Sequence, residues 1–276
     1  MPDRASQHQE PREIQVHFAG GAMVREVGDA SAVGGSVLWI HGLGESGLCF
    51  EHLLRDPRLA NYHHICPDLV GYGRSPWTET PLRLPEHGQL ALRVAAEIVG
   101  DERPVILVGH SMGGVIGQFV CEQAPERVSI FVNVEGNLSL GDCGYSSRAQ
   151  PFSLAQFEQT GSAEVGAQIE EAGATDPAHR SYSVSYRLCR PAAFHRNAAE
   201  LVELSQTEQL AARFARLPHP KAFAQGKPDG APPRSTELLV EAGIEPKLFE
   251  PAGHWPFIDQ PDAFVRWLAE RLGALV

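Results

Sequence analysis

Long apolar runs are missing from this sequence: nowhere do about 18 apolar residues follow one another, which removes a membrane-spanning helix from consideration. Cysteine is sparse and scattered. Cys49, Cys66, Cys121, Cys143 and Cys189 are odd in number and form no CxxC pair, so neither a disulfide framework nor a zinc site is expected. Basic residues are in deficit, with 23 Lys and Arg against 34 Asp and Glu and a formal charge of -11, and no basic block is interleaved with aromatics. Nucleic acid is therefore not an expected partner. The opening "MPDRASQHQEPREIQ" is polar and lacks an apolar stretch of signal-peptide length, so the expected location is cytoplasmic. Long-range repeats and low-complexity tracts are absent too.

What remains is a chain of 276 residues, 43% hydrophobic, long enough to bury the core of one large domain with a modest insertion. "REIQVHFAG" and "AMVREVGD" read as a hairpin of edge strands turning at Gly20-Gly21. "SVLWI", "YHHIC", "VILVG" and "VSIFVNV" are short apolar runs separated by helical patterns around 48–54 and 85–100. Strands alternating with amphipathic helices predict an α/β fold, a mostly parallel central sheet flanked by helices. The rhythm stops after Glu135 and returns at "KAFAQ" and "IEPKLFE", before a closing helix in "DAFVRWLAERLG". The intervening stretch is helical in texture. The expected division is a core of residues 1–135 and 216–276 with a helical cap, or lid, at 136–215.

The stretch "VILVGHSMGGVIGQFV" carries the chemistry. It runs from an apolar strand through Gly109-His110-Ser111-Met112-Gly113 into a helical pattern, which satisfies GxSxG in the setting that motif requires. A serine on so sharp a turn needs small neighbours, and Gly109 and Gly113 supply the room. Ser111 is the expected nucleophile, and the Met112 amide at the helix start an oxyanion donor. A second donor should follow an earlier strand. In His41-Gly42-Leu43-Gly44-Glu45-Ser46 the Leu43 amide fits, with His41 orienting the loop. "PDLVGYGRSPW" reads as an architectural loop held by Asp68. His254, after the "KLFE" strand and before the last helix, has the setting of a general base. His110 is assigned to packing behind the serine. His63 and His64 occupy one strand, point to opposite faces and have no third ligand, so no metal is expected there.

Two residues compete for the triad acid. Glu135 ends an uninterrupted apolar strand, where a carboxylate is costly unless paired, and it is the preferred acid. Asp229, in "AQGKPDG", is the alternative acid, although Lys-Pro-Asp-Gly is also an ordinary turn.

"HGLGES", "DLVGYGRS", "GHSMGG" and "GHWPFIDQPDAFVRWL" occur in one order from about Ser36 to Leu272, and in this the chain resembles the lid-containing α/β-hydrolases. That group includes serine esterases, lactonases, carbon-carbon bond hydrolases and dehalogenases. The resemblance implies the α/β-hydrolase fold. Serine at position 111 speaks against haloalkane dehalogenase and epoxide hydrolase chemistry, which use a carboxylate nucleophile there. The expected function is a serine hydrolase of small or medium carboxylic esters, thioesters or lactones, working through an acyl-enzyme on Ser111. The alternatives are hydrolysis of carbon-carbon bonds in β-diketone-type substrates and a non-catalytic ligand-binding or interaction module on the same scaffold. No cofactor and no metal is called for, the expected partner is a small acyl substrate, and a homodimer is left open. Phe152, Phe157, Tyr182, Tyr186, Phe194, Trp77 and Trp255 are candidates to line the pocket. Asn137, Asp142 and Ser146 lie in a loop entering the cap, where a capping role is favoured over substrate binding.

Overall fold

The computed structural model describes residues 12–275; the polar opening stretch through residue 11, read above as free of a signal peptide, lies outside them. Eight strands form one sheet: β1 (Gln15–Ala19), β2 (Ala22–Val27), β3 (Ser36–Ile40), β4 (His63–Pro67), β5 (Val105–His110), β6 (Val128–Val134), β7 (Lys221–Asp229) and β8 (Lys247–Gly253), in the order β1-β2-β4-β3-β5-β6-β7-β8. From β4 to β8 every pairing is parallel, while β1 with β2 and β2 with β4 are antiparallel. The Gly20-Gly21 hairpin forms as expected, with both glycines at positive φ. One expectation changes. β1 is an edge strand, but β2 is interior, because it also pairs with β4 and is buried along nearly its whole length.

Strands β3, β4 and β5 are buried at every position, which is why they read as continuous apolar runs and not as alternating ones. Among the described residues twelve α-helices accompany the sheet: α1 (Glu51–Leu54), α2 (Leu84–Val99), α3 (Met112–Gln123), α4 (Gly144–Ala149), α5 (Leu154–Gln156), α6 (Ser162–Gly173), α7 (Pro177–Tyr186), α8 (Pro191–Gln206), α9 (Leu210–Arg216), α10 (Pro233–Glu241), α11 (Pro256–Asp259) and α12 (Pro261–Leu275). α2 and α3 pack on each other and on β3, and α3 also lies against β5. Helices α4 to α9 all fall between β6 and β7, with no strand among them. The last of these, α9, returns to the sheet: Phe214 packs edge-on against Phe131 of β6 and Phe223 of β7.

From β3 the chain passes to β4 on one side and then to β5 on the other. This reversal leaves a crevice beyond the carboxyl ends of β3 and β5, where open α/β sheets bind ligands. The loops 41–46 and 109–114 both open there.

Candidate active site

Ser111 joins β5 to α3 at φ 53° and ψ -120°, a backbone conformation that costs a non-glycine residue about 1–3 kcal/mol. Close packing holds it there. The Ser111 amide donates to Val134 O at 2.9 Å, and the Ser111 carbonyl accepts from Gly114 N at 2.8 Å. A side chain at Gly109 would meet Gly113 O at 2.3 Å, and one at Gly113 would meet Ile40 O at 2.0 Å. The glycines of GxSxG are thus required by the closeness of backbone on backbone. Met112 is the first residue of α3, where amides point away from any intrahelical acceptor.

Glu135 repeats the device on the neighbouring strand. It directly follows β6 at φ 53°, its amide donates to Ala224 O at 2.9 Å, and its carboxylate is buried. Oε1 accepts from Gly226 N at 2.5 Å, and Oε2 faces His254 Nδ1 at 3.3 Å. Glycines again make the space: a side chain at Gly226 would strike Gly253 O at 2.0 Å, and one at Gly230 would meet Glu135 Oε1 at 2.8 Å. Asp229 takes part in the β7–β8 ladder opposite Gly253, and its exposed side chain lies on the cavity wall. Of the two candidate acids, only Glu135 contacts His254 among the described residues. Burial works to lower the His254 pKa, but the hydrogen bond and charge of Glu135, followed by the charges of Glu45 and Asp142, override it and raise the pKa above the usual imidazole value. No hydrogen bond joins Ser111 to His254 among the described residues; the two side chains open onto one cavity.

The loop after β3 lies directly against the serine, since a side chain at Gly42 would come within 3.1 Å of Ser111 Cβ. Leu43 is buried and faces the cavity. His41 anchors the loop, accepting from Leu69 N at 2.9 Å through Nε2 and donating to Gly42 O at 2.8 Å through Nδ1. Asp68 plays the architectural part expected of it, accepting from Gly47 N, Arg74 N and the buried Arg25.

Sequence reasoning passed over Glu45, which the structure puts at the centre of the site. Its buried carboxylate accepts from Gly42 N (2.6 Å), His110 Nδ1 (2.9 Å) and Trp255 Nε1 (2.5 Å). His110 Nε2 in turn donates to the carbonyl of His254 at 2.9 Å. Both ring nitrogens of His110 are thus engaged, one by the Glu45 carboxylate and the other by the backbone carbonyl of His254. Burial opposes ionisation of Glu45, yet the His110 charge and hydrogen bond, then the indole and the Gly42 amide, hold its pKa down at about 2. One carboxylate therefore fastens the loop after β3, the residue before Ser111 and the residue after His254. His110 does more than pack behind the serine. No sequence signal marked Glu45, because its side-chain partners His110 and Trp255 lie 65 and 210 residues away.

The cavity above Ser111 has a volume of about 250 Å³. Tyr182 and Trp255 line it, as does Tyr145, which the sequence reading did not single out. Phe157 and Phe194 instead stack on each other with centroids 5.7 Å apart, fully buried within the helical segment, and Trp77 is 60% exposed. Asp142 and Ser146 reach the cavity. Asp142 is nevertheless engaged structurally, accepting from Leu138 N and Ser139 N at 2.8 Å and from Ser235 Oγ at 2.6 Å. Asp176, Asp229 and Asp259 complete an acidic lining that contains no Lys or Arg among the described residues. No cluster of three or more potential metal ligands occurs among the described residues, and no described helix is long and apolar enough to cross a membrane. All five cysteines are buried and free.

A mostly parallel sheet with a serine elbow after its fifth strand and a late histidine on the same cavity defines the α/β-hydrolase class. A model of the alpha/beta hydrolase family matches residues 37–267, and the chain belongs to that family. The chain is 28% identical to the pimeloyl-[acyl-carrier protein] methyl ester esterase of Klebsiella pneumoniae (strain 342) over 240 residues, which cover 82% of this chain and 88% of that protein. Among solved structures, N-acyl homoserine lactonase AidH superposes with a TM-score of 0.72 at 18% identity, covering 94% of this chain and 95% of that one. The 2-hydroxy-6-oxo-6-phenylhexa-2,4-dienoate hydrolase of Rhodococcus sp. strain RHA1 superposes with a TM-score of 0.67 at 19% identity, covering 94% and 99%. These two likenesses concern the fold.

Proposed function

We propose that the protein is a serine hydrolase of small or medium carboxylic esters, thioesters or lactones. The observation that carries the reading is a strained Ser111 opening onto the same cavity as His254, whose far nitrogen faces the buried carboxylate of Glu135. In this reading Ser111 Oγ attacks the acyl carbonyl while His254 Nε2 takes its proton. Glu135 keeps the proton of neutral His254 on Nδ1 and stabilises the imidazolium that forms. The amides of Leu43 and Met112 receive the developing oxyanion. His254 then protonates the departing alkoxide or thiolate and activates the water that releases the acid. Residues 136–215 serve as the cap that roofs the cavity.

A volume of about 250 Å³ suits a short acyl group. Its lining of aspartates without a Lys or Arg favours a neutral or cationic substrate over a carboxylate. That preference sets ester or lactone hydrolysis ahead of carbon-carbon cleavage of an anionic dienoate, which would call on the same serine and histidine.

Treatment with a fluorophosphonate, followed by peptide mapping, tests the reading. A single adduct on Ser111 is expected, together with turnover of short neutral esters. A folded protein that stays unlabelled at Ser111 overturns it.

A further inference from the structure

Besides the two histidine-glutamate pairs already described, a histidine-aspartate pair faces the cavity. Asp176 caps the N-terminus of α7, with Oδ1 accepting from Ala178 N at 2.8 Å and Oδ2 from His179 Nδ1 at 2.5 Å. Both residues line the cavity that holds Ser111 and His254. The His179 ring stands edge-on to Trp255, with centroids 5.0 Å apart, and edge-on to Tyr145 at 6.0 Å, and both aromatics are themselves part of the cavity wall. Trp255 is fixed by Glu45 and lies beside the His254 ring, so His179 sits one aromatic ring away from His254.

Only one of the two ring nitrogens of His179 is hydrogen-bonded among the described residues. Its Nδ1 proton is committed to Asp176, and a neutral imidazole so held carries its lone pair on Nε2. Among the described residues Nε2 has no protein partner, and a quarter of the side chain (25%) is accessible. A helix cap needs only the carboxylate of Asp176, which already serves Ala178 N. The imidazole is additional to the cap, and Trp255 and Tyr145 restrict its orientation. Pockets of this kind are mainly apolar, with a few fixed polar groups that orient the ligand. An acceptor locked by its own carboxylate is such a group.

We propose that the His179–Asp176 pair is a substrate-recognition site, in which His179 Nε2 accepts a hydrogen bond from a hydroxyl or amide N–H carried by a small neutral ester or lactone. The assignment rests on the serine-hydrolase reading of the cavity and narrows its substrate class to acyl compounds bearing a donor. A site built around such a bond also discriminates against the analogue that lacks the donor, since that analogue covers the half-buried acceptor without giving it a partner.

The test compares methyl butyrate with methyl 2-hydroxybutyrate and methyl 3-hydroxybutyrate, in the otherwise unaltered protein and in His179→Phe and Asp176→Asn. Phenylalanine keeps the ring between Trp255 and Tyr145 and removes the acceptor; asparagine keeps a cap and removes the carboxylate that fixes the tautomer. The protein should prefer at least one hydroxy ester in kcat/KM, and the preference should fall about 10-fold in His179→Phe, mainly through KM, and less in Asp176→Asn. Calorimetric binding of the same esters to Ser111→Ala, with and without His179→Phe, reads the preference without turnover. Fluorophosphonate labelling of Ser111 separates the two questions. Absence of labelling strikes the serine mechanism, whereas a hydroxy-ester preference that is missing or unchanged by His179→Phe, in both turnover and binding, overturns the recognition site.

Discussion

Replacing Glu45 by Gln tests whether one buried carboxylate organises the site. The side chains are nearly isosteric, so the change removes charge and one acceptor without opening a cavity. If the amide oxygen takes the Oε2 position, it still serves Gly42 N and His110, but the new NH2 group then faces the Trp255 indole N–H. In the opposite orientation the NH2 faces the Gly42 amide. Either way two donors oppose each other in a buried space, and the negative charge that Glu45 presents to His110 is gone. Removing one partner of a buried pair costs about 3–5 kcal/mol. The shift of Glu45 to about 2 from an ordinary 4.5 gives a similar figure, about 3 kcal/mol. For a domain of this size a loss of that order lowers Tm by roughly 6–12 °C. The folded-state pKa is depressed, so this stability is present above about pH 4.5 and disappears as pH falls towards about 2. The Tm gap between Glu45→Gln and the parent should therefore be full at pH 7 and close on acidification. Because Gly42 carries the loop with the Leu43 amide, kcat should fall with KM changing little. Thermal unfolding from pH 3 to pH 8, with steady-state kinetics on a short ester, provides the assay. A variant within 2 °C of the parent at pH 7 and with undiminished kcat would refute the reasoning.

Glu135→Ala is expected to lower kcat by about 10²- to 10⁴-fold while Asp229→Ala has a small effect, both measured on one ester with unfolding curves as the folding control; the reverse ranking would return the acid to Asp229. His254 must be neutral to accept the serine proton, and its pKa is raised, so kcat/KM should climb with pH along a limb centred above 6.5. Glu135→Gln should move that limb downwards, a shift readable in a pH–rate profile from 5 to 9. Gly113→Ala would put Cβ 2.0 Å from Ile40 O, backbone that has no easy retreat, and should yield a protein that unfolds several degrees lower and has little esterase activity.

Much of the fold was legible because period and burial agree. β3, β5 and β6 begin at the residues where the apolar runs begin, and the helical stretch before residue 220 contains no strand. β8 starts at Lys247, three residues later than "IEPKLFE" suggests, because Ile244 is taken up by a bond from its amide to Leu239 O that closes α10. The interior position of β2 was not legible, since its second partner, β4, is set by tertiary pairing and leaves no mark on "AMVREV". At the site, Ser111 and His254 could be picked as candidates from local context, and the structure opens both onto one cavity. Glu135 and Asp229 could not be separated by context, because the choice depends on which carboxylate reaches Nδ1 across two strands. Glu45 and the Asp176–His179 pair stayed hidden for the same reason. A carboxylate in a glycine loop and a histidine three residues after an aspartate are ordinary in sequence and acquire meaning only from neighbours far along the chain.

Asp142 binds the amides of Leu138 and Ser139 and the hydroxyl of Ser235, and Gly136 N is held by Asn133 Oδ1 at 3.1 Å. These bonds clamp the first link between sheet and roof within a few residues of Glu135. A segment that swung from that link would drag on Glu135 and disturb its contact with His254, and in the proposed mechanism the pinning would shield that pair from movement of the helices beyond it. On the proposed mechanism such an anchor would decouple substrate entry from acid-base geometry, so that the helices beyond Asp142 could diverge for a different substrate while the Glu135–His254 contact beneath them is kept.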